Sequence, residues 1–241
     1  MTVLIEHFNL QDLKILYGAQ EEIYTHIKNQ INKEKLWIVT LNALMYMEYL
    51  KDNDYSKAIK NASFSIPDGI GIVKLLKRKG IDTERCPGID TMNFLLNLSK
   101  EKDYGVYLLG SFEESVKRAV KTIESNFKIK VSGYHNGYFE EHQEEEIVKN
   151  INESKADLLF VGMGIPKQEI FIFRNYKKLN VKLMMGVGGS FDVIGGSVKR
   201  APAFYQKLGL EWLYRMFEEP HRFKKLPILL KFYINLYRKN N

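Results

Sequence analysis

Short, largely apolar runs alternate along the chain with segments that carry an apolar residue every three or four positions. The apolar runs are LWIVTL (36–41), ASFSI (62–66), YGVYLLG (104–110), ADLLFVG (156–162) and VKLMMGVGG (181–189). Strands that are apolar at every position are typical of a parallel sheet whose two faces are both buried. Alternation of strands and helices at this spacing predicts βαβ units with right-handed crossovers. The predicted class is therefore α/β, a Rossmann-like open and mostly parallel sheet with helices on both faces.

The pattern changes after residue 198. The sequence beyond it is helical, aromatic and basic, and we expect Pro220 and Pro227 to interrupt the helical pattern. Residues 199–241 carry 10 Lys and Arg against 3 Asp and Glu, and the whole chain carries 36 against 29, so residues 1–198 carry 26 of each. We therefore predict an α/β core over 1–198 and a basic, amphipathic helical appendage over 199–241 that meets a specific partner.

The cysteine content and the distribution of apolar residues indicate the cellular compartment. The chain of 241 residues has one cysteine, Cys86, which suits a reducing compartment and rules out an internal disulfide. The N-terminal sequence lacks the basic and apolar regions of a signal peptide, and no uninterrupted apolar run of about 18 residues is present. We expect a cytoplasmic protein.

Polar and glycine-rich loops follow the predicted strands. Ligands bind at the carboxyl ends of strands in open parallel sheets, where glycines allow close approach and helix N-termini attract phosphate. Several such loops together favour a phosphate-bearing small molecule such as a nucleotide, although any one loop taken alone is better explained as a tight turn between a strand and a helix. Neither the dinucleotide fingerprint nor the P-loop motif occurs. The candidate ligand-binding residues here are Thr40, Asn42, Gly110, Gly164, Lys167, Gln168, Gly188, Gly189 and Ser190.

Metal ligands are sparse in the sequence. The five histidines are scattered, and the acidic pair Asp52 and Asp54 lies in a very polar stretch after a helical pattern. A solvated turn explains that pair better than a metal site does. We predict no metal and no cofactor.

The segment FSIPDGIGIV (64–73) places Asp68 at the end of an apolar strand, between a proline and a glycine. A partly buried carboxylate at that edge is suited to act as a general base, with a pKa that burial raises and nearby cations lower. The alternative is that Asp68 caps the helix that starts near Ile70, because Asp is among the best capping residues. Both interpretations stay open on spacing alone. Cys86, before a Pro-Gly turn, is interpreted as an inert thiol.

Seven segments occur in an order that resembles the WecG/TagA/CpsF glycosyltransferases. They are WIVTLNALM, SIPDGIGIV, RCPGIDTM, VYLLGS, ADLLFVGMGIPKQE, GVGGSFDVIGGSVKRAPAF and LGLEWLYRMFEEPHR, and they span roughly 37–225. The resemblance implies a metal-independent, inverting transferase. Its expected reaction moves N-acetylmannosamine from a UDP-sugar donor to a polyprenyl-diphosphate-linked N-acetylglucosamine on the cytoplasmic face of the cell membrane, as in teichoic acid biosynthesis.

The resemblance also implies residue roles. Asp68 matches the family's proposed base, Thr40 and Asn42 match pocket residues beside it, and Arg85 and Gln168 match residues expected to contact substrate. In the appendage the matching basic positions, which would neutralise the departing UDP, are Arg215, Arg222 and Lys225. The family usually has arginine at the last position, and lysine lacks its bidentate fork.

The resemblance further implies a homo-oligomer, and the segment 226–239 has the amphipathic, basic character of a membrane-surface helix.

Two other classes of protein share some of these sequence features. The basic, aromatic tail is compatible with a nucleic-acid-binding protein, but no nucleic-acid-binding signature appears and the glycine loops would then have no purpose. A nucleotide-dependent oxidoreductase would carry the dinucleotide-binding fingerprint, which is absent from this sequence. We therefore expect no nucleic-acid partner.

Overall fold

Eight strands form one sheet in the computed structural model, which describes residues 7–51 and 53–238. The order across the sheet is β1-β2-β4-β3-β8-β7-β5-β6. The first two strands form an antiparallel hairpin and every other pairing is parallel. The strands are β1 (His7–Leu10), β2 (Leu13–Leu16), β3 (Leu36–Leu41), β4 (Phe64–Pro67), β5 (Val106–Gly110), β6 (Val131–His135), β7 (Leu158–Gly162) and β8 (Leu183–Gly186).

Helices connect the strands and continue beyond the last one. Two short 3₁₀ turns cover Glu141–Gln143 and Pro220–Lys225. The α-helices are α1 (Gln20–Gln30), α2 (Ala43–Tyr49), α3 (Asp54–Lys60), α4 (Ile70–Arg78), α5 (Gly88–Lys102), α6 (Glu113–Phe127), α7 (Glu144–Glu153), α8 (Lys167–Asn175), α9 (Ser190–Ile194), α10 (Ala203–Lys207), α11 (Glu211–Glu218) and α12 (Leu226–Tyr237).

Burial on both faces explains why the central strands are apolar throughout. Every residue of β3, β5, β7 and β8 is buried. Successive side chains point to opposite faces, so Val39 and Val161 enter one hydrophobic cluster and Ile38 and Phe160 the other. Helices α2, α3 and α8 cover the first face, and α1, α5 and α6 cover the second. The predicted α/β class is confirmed.

Three features differ from the sequence prediction. The β1–β2 hairpin and β6 were not among the predicted strands, because they lie at the sheet edges, where burial is incomplete and the apolar run is broken. Pro227 was predicted to interrupt a helix and instead lies in the first turn of α12. The N–H that proline lacks has no intrahelical partner in that turn, so proline is tolerated there.

The connectivity opens a crevice in the middle of the sheet. Strands β3 and β8 are neighbours, although the chain leaves β3 for β4 on one side and reaches β8 from β7 on the other. Loops at such a switch point diverge to opposite faces and leave a space at the carboxyl ends of the strands. The polar strand ends of β3, β4, β7 and β8 border this space.

The appendage is packed onto the α/β core. Helix α12 lies against α2, and the ring of Phe232 meets Tyr46 edge to face at a centroid distance of 6.2 Å. A Cβ on Gly71 would lie 2.9 Å from the Phe232 ring, so α4 accepts the ring only because residue 71 is glycine. The buried side chains of Met216, Leu229 and Phe232 belong to the same cluster as Val39. The boundary at residue 198 stays a prediction, and the segments on its two sides share one core.

No helix within residues 7–51 and 53–238 is long and apolar enough to cross a membrane.

We predict that Phe232→Ala destabilises the whole molecule. The side chain is 2% exposed, and removing a buried Phe costs about 3 kcal/mol or more. The measurement is urea denaturation followed by the fluorescence of Trp37 in a Trp212→Phe background, since Trp37 lies in the core. Ile234→Ala, on the same helix but 64% exposed, is the matched control and should cost less than about 1 kcal/mol. A Trp37 transition unmoved by Phe232→Ala would show that the appendage folds independently.

Candidate active site

A cavity of about 320 Å³ occupies the crevice at the strand ends. The core supplies its floor, and α11, the Pro220–Lys225 turn and α12 supply the opposite wall. This strand-end cavity brings together most of the sequence-predicted site residues, from both sides of residue 198. Those that line it are Thr40, Asn42, Asp68, Arg85, Gly164, Gln168, Gly188, Gly189, Ser190, Arg215, Arg222 and Lys225.

Two predicted ligand-binding residues, Gly110 and Lys167, lie outside the cavity lining. A Cβ on Gly110 would lie 2.4 Å from the carbonyl group of Gly162, so this glycine permits close packing of β5 against β7. Lys167 begins α8 with an exposed side chain. The structure therefore gives Gly110 a packing role and does not bring Lys167 to the site.

Asp68 follows β4 and faces the cavity. Its Oδ1 accepts a hydrogen bond of 2.6 Å from the backbone N–H of Gly88, at the start of α5. The N-cap of α4 is Gly69, and no side chain caps that helix. The capping alternative for the helix near Ile70 is thus wrong, and Asp68 instead connects β4 to the first turn of α5.

Opposing influences act on the Asp68 carboxyl. Burial raises its pKa most strongly, and Glu211 raises it further. The Gly88 N–H, Arg85 and Arg215 lower the pKa by stabilising the anion. A carboxylate held in this balance can accept a proton from a bound hydroxyl more readily than a fully solvated one.

Thr40 and Asn42 hold the floor of the cavity together. The Thr40 hydroxyl donates to the carbonyl oxygen of Gly186 at 3.0 Å and thereby joins the ends of β3 and β8. Asn42 Oδ1 accepts from the N–H groups of Leu44 and Met45 at 3.1 and 3.2 Å and caps α2. Both residues line the site, and these hydrogen bonds serve the fold.

Gln168 is 2% exposed and joins two glycine loops. Its Oε1 accepts from the N–H of Gly164 at 3.1 Å and from the N–H of Gly188 at 3.0 Å. Its Nε2 donates to Glu169 Oε1 at 2.7 Å. Glu169 is 1% exposed, and burial raises its pKa to about 8.

Arg85 and Glu211 form the ion pair that spans the cavity. The guanidinium Nη1 lies 2.5 Å from Glu211 Oε2, and the two side chains are 18% and 23% exposed. Glu211 begins α11, so this pair fastens the appendage to the loop that precedes α5. Sequence reasoning missed Glu211, which lies within the motif LGLEWLYR; the signal available was an acid inside a basic segment.

Three cationic side chains of the appendage, Arg215, Arg222 and Lys225, lie together at the cavity. A Cβ on Gly189 would lie 3.7 Å from Arg222 Nη2 and 3.9 Å from Arg215 Nη1. Burial and the Arg222 charge lower the pKa of both Arg215 and Lys225. Arg222 also pairs with Glu219 at 2.7 Å. Among the described residues, four cations and two acids, Asp68 and Glu211, line the cavity, which suits it to an anionic ligand.

The remaining predictions concern metals and the thiol. No cluster of three His, Cys, Asp or Glu side chains placed to hold a metal ion occurs within residues 7–51 and 53–238, and metal independence stays a prediction. Asp54 is exposed at the start of α3 and pairs with Lys57 at 3.4 Å, while Asp52 lies outside the described residues. Cys86 is fully buried, and burial raises the pKa of its thiol to about 12, as fits an inert side chain.

Nearly the whole chain is similar to known proteins. The family model described as "Glycosyl transferase WecG/TagA/CpsF family" matches residues 8–241. The chain belongs to this family of glycosyltransferases. It is 34% identical over 205 residues to the N-acetylglucosaminyldiphosphoundecaprenol N-acetyl-beta-D-mannosaminyltransferase of Bacillus subtilis (strain 168), covering 84% of this chain and 79% of that one. It is 36% identical over 214 residues to the protein of the same name from Staphylococcus aureus (strain NCTC 8325 / PS 47), covering 87% and 84%.

We predict that Glu169→Gln stabilises the protein increasingly as pH rises. A carboxyl whose folded pKa of about 8 exceeds its ordinary 4.5 destabilises the fold as pH rises from 4.5 to 8. The stability difference between Glu169→Gln and wild type should therefore grow by on the order of 3 kcal/mol from pH 5 to pH 8. Urea denaturation at several pH values measures it. A difference that is independent of pH would contradict the burial of an ionisable Glu169.

Proposed function

We propose that this protein transfers N-acetylmannosamine from UDP-N-acetylmannosamine to the N-acetylglucosamine of undecaprenyl-diphosphate-N-acetylglucosamine, with inversion and without a metal. The observation that carries the proposal is one cavity holding both the Asp68 carboxyl and the cations Arg215, Arg222 and Lys225. The names of the relatives state the same acceptor and the same transferred sugar. The UDP donor, the inversion and the metal independence are what the resemblance to this family implies, and the cations of the cavity support them.

The proposed reaction is a single displacement. Asp68 removes the proton from the acceptor hydroxyl as its oxygen attacks the anomeric carbon of the donor. The bond between that carbon and the diphosphate oxygen breaks, and UDP leaves with the electron pair. Attack from the face opposite the leaving group inverts the anomeric centre. Asp68 Oδ1 is engaged with Gly88, so the other carboxylate oxygen takes the proton.

The appendage cations supply the charge stabilisation that a metal provides in other transferases. Negative charge develops on the diphosphate as the bond breaks, and fixed cations in a closed site stabilise it without reorganisation. The like charges of Arg215, Arg222 and Lys225 repel one another, and a bound diphosphate would offset that repulsion. The cations face a cavity of about 320 Å³, and this setting favours a small anion over a nucleic acid.

Glycine loops give the nucleotide its proposed location. The loops at Gly164 and at Gly188–Gly189 border the cavity beside the cations. Backbone at these glycines allows close approach of phosphate oxygens. A glucose-type donor and the uronic acid of N-acetylmannosamine are the alternative sugars for the same site.

The appendage is proposed to have a second role at the membrane. Helix α12 buries Leu229, Phe232 and Leu236 against the core, and exposes Leu230, Ile234 and Tyr237. An exposed apolar face beside basic residues is suited to the interface of an anionic bilayer, where the lipid-linked acceptor resides. Peripheral membrane association, a homo-oligomer, and the division at residue 198 into catalytic core and appendage belong to this proposal.

Asp68→Asn should abolish transfer while leaving the fold intact. Asn retains an oxygen that can accept from the Gly88 N–H, so helix α5 keeps its position while the base is lost. We expect kcat to fall at least about 100-fold, with KM for the donor changed less than about threefold. UDP release from UDP-N-acetylmannosamine, with the lipid-linked acceptor and EDTA present, measures both constants.

Asp68→Ala serves as the companion variant, because it removes the base and the Gly88 contact together. Its added loss of stability relative to Asp68→Asn reports the structural contact alone. Unchanged turnover in Asp68→Asn would remove Asp68 from the mechanism. Absence of acceptor-dependent turnover by the wild type with each of the three donor sugars would overturn the proposed function.

Arg222→Gln should lower kcat/KM for the donor about 100-fold, because a fixed cation at the departing diphosphate is lost. Lys224→Gln is the matched control: this neighbouring cation is exposed and lies outside the cavity lining, so we expect less than about a twofold change. The same UDP-release assay measures both variants. Equal losses in the two variants would indicate a general effect of tail charge, as in membrane attachment, and would contradict a role at the diphosphate.

A further inference from the structure

We propose that Glu169 is a positioning residue that fixes the orientation of the Gln168 amide and, through it, the two glycine loops of the strand-end cavity. The effect on catalysis rests on the proposed function. The effect on the loops follows from hydrogen bonds alone and can be tested without any substrate.

The orientation of the Gln168 amide decides whether the loops are held. With Oε1 toward the loops, one oxygen accepts from Gly164 and Gly188 at 3.1 and 3.0 Å. A rotation of 180° about the last side-chain bond would direct the NH₂ group at two N–H donors. Both loops would then lose their acceptor inside a buried site, at a cost for each unsatisfied donor.

Glu169 disfavours the rotated arrangement. Its Oε1 accepts from Gln168 Nε2 at 2.7 Å, and the rotated amide would place an oxygen against that oxygen. Glu169 thus favours the one orientation in which all three hydrogen bonds form. The two glycine N–H groups favour the same orientation, and the Glu169 acceptor adds a third hydrogen bond to it, since the two positions of a Gln side-chain end are otherwise similar in shape.

Gly186 provides the room for this contact. A Cβ at residue 186 would lie 2.5 Å from Gln168 Nε2 and 2.9 Å from Glu169 Oε1. The carbonyl of the same glycine accepts from Thr40. The Glu169–Gln168 pair therefore sits directly against the end of β8, where the loop that carries Gly188 begins.

The second carboxyl oxygen of Glu169, Oε2, supports the positioning role. Oε2 is buried and has no hydrogen-bond partner among the described residues. An apolar residue would avoid that cost, and a buried unsatisfied polar atom calls for an explanation. The need of the Gln168 amide for an acceptor explains why a carboxyl is present. Burial raises the Glu169 pKa to about 8, so the carboxyl is mainly protonated at pH 7. With the proton on Oε2, Oε1 remains the acceptor for Gln168, as the side-chain oxygen of a glutamine would.

Amide hydrogen exchange of Gly164 and Gly188 tests the proposal directly. The full chain is measured by NMR at pH 7 as wild type, Glu169→Gln and Glu169→Leu. Glutamine keeps an acceptor oxygen, and we expect exchange within about threefold of wild type. Leucine keeps the volume and removes the acceptor, and we expect both amides to exchange about tenfold faster, as befits the loss of about one hydrogen bond.

Asn175→Leu is the matched control. Asn175 is a buried polar residue of the same helix, and its amide donates to Phe171 and Glu144 away from the glycine loops. It should lower stability without changing exchange at Gly164 and Gly188. Glu169→Asp is a second test if the leucine variant does not fold, because it keeps the carboxyl and withdraws the acceptor by one methylene.

Titration with UDP gives the functional readout. We expect Glu169→Leu to weaken UDP binding about tenfold and Glu169→Gln to retain wild-type affinity and turnover. Exchange at the two glycines that stays unchanged in Glu169→Leu and Glu169→Asp would overturn the positioning role. Wild-type protein that shows the expected exchange pattern but no sugar transfer would overturn the proposed function and leave the positioning role standing.

Discussion

One buried acceptor, the Oε1 atom of Gln168, determines how the loops at the carboxyl edge of the sheet are arranged. The central strands are buried on both faces, so polar groups are concentrated at their ends, and each backbone donor there needs a partner. Gln168 satisfies donors from the loops after β7 and β8 at once. Through these two hydrogen bonds the shared atom holds the start of α8 and the Gly188 loop together. The Glu169 carboxyl fits behind it because Gly186 has no side chain.

The proposed function places two opposing requirements on the charge in the cavity. A base must be buried enough to hold a proton readily, whereas a diphosphate needs concentrated positive charge. Arg215 contributes to both, because it lowers the pKa of Asp68 and stands beside Arg222. The core supplies the acid and the appendage supplies three of the cations, so neither segment alone contains the complete site.

The features that could be predicted from the sequence are those that a local pattern of residues encodes. Runs such as 36–41 and 158–162 are unbroken because both faces are buried, and Asp68 and Gln168 were identifiable because polar residues follow those runs. Edge strand β6 carries no such signal. In the sequence, a glycine after a strand looks the same whether it lines the cavity, as Gly188 does, or packs against a neighbouring strand, as Gly110 does. The Arg85–Glu211 pair joins residues 126 positions apart, and only the folded chain reveals it.

The contact between Gly71 and Phe232 constrains how this chain can diverge. The ring occupies the space that any side chain at position 71 would need, while Ala43 closes the same site from α2, where a Cβ on Gly71 would lie 3.2 Å from the Ala43 Cβ. An enlargement at position 71 would therefore require both the Phe232 ring and the Ala43 methyl group to move. A single absent side chain in the first third of the chain thus decides whether a ring from its last ten residues can be seated on the core.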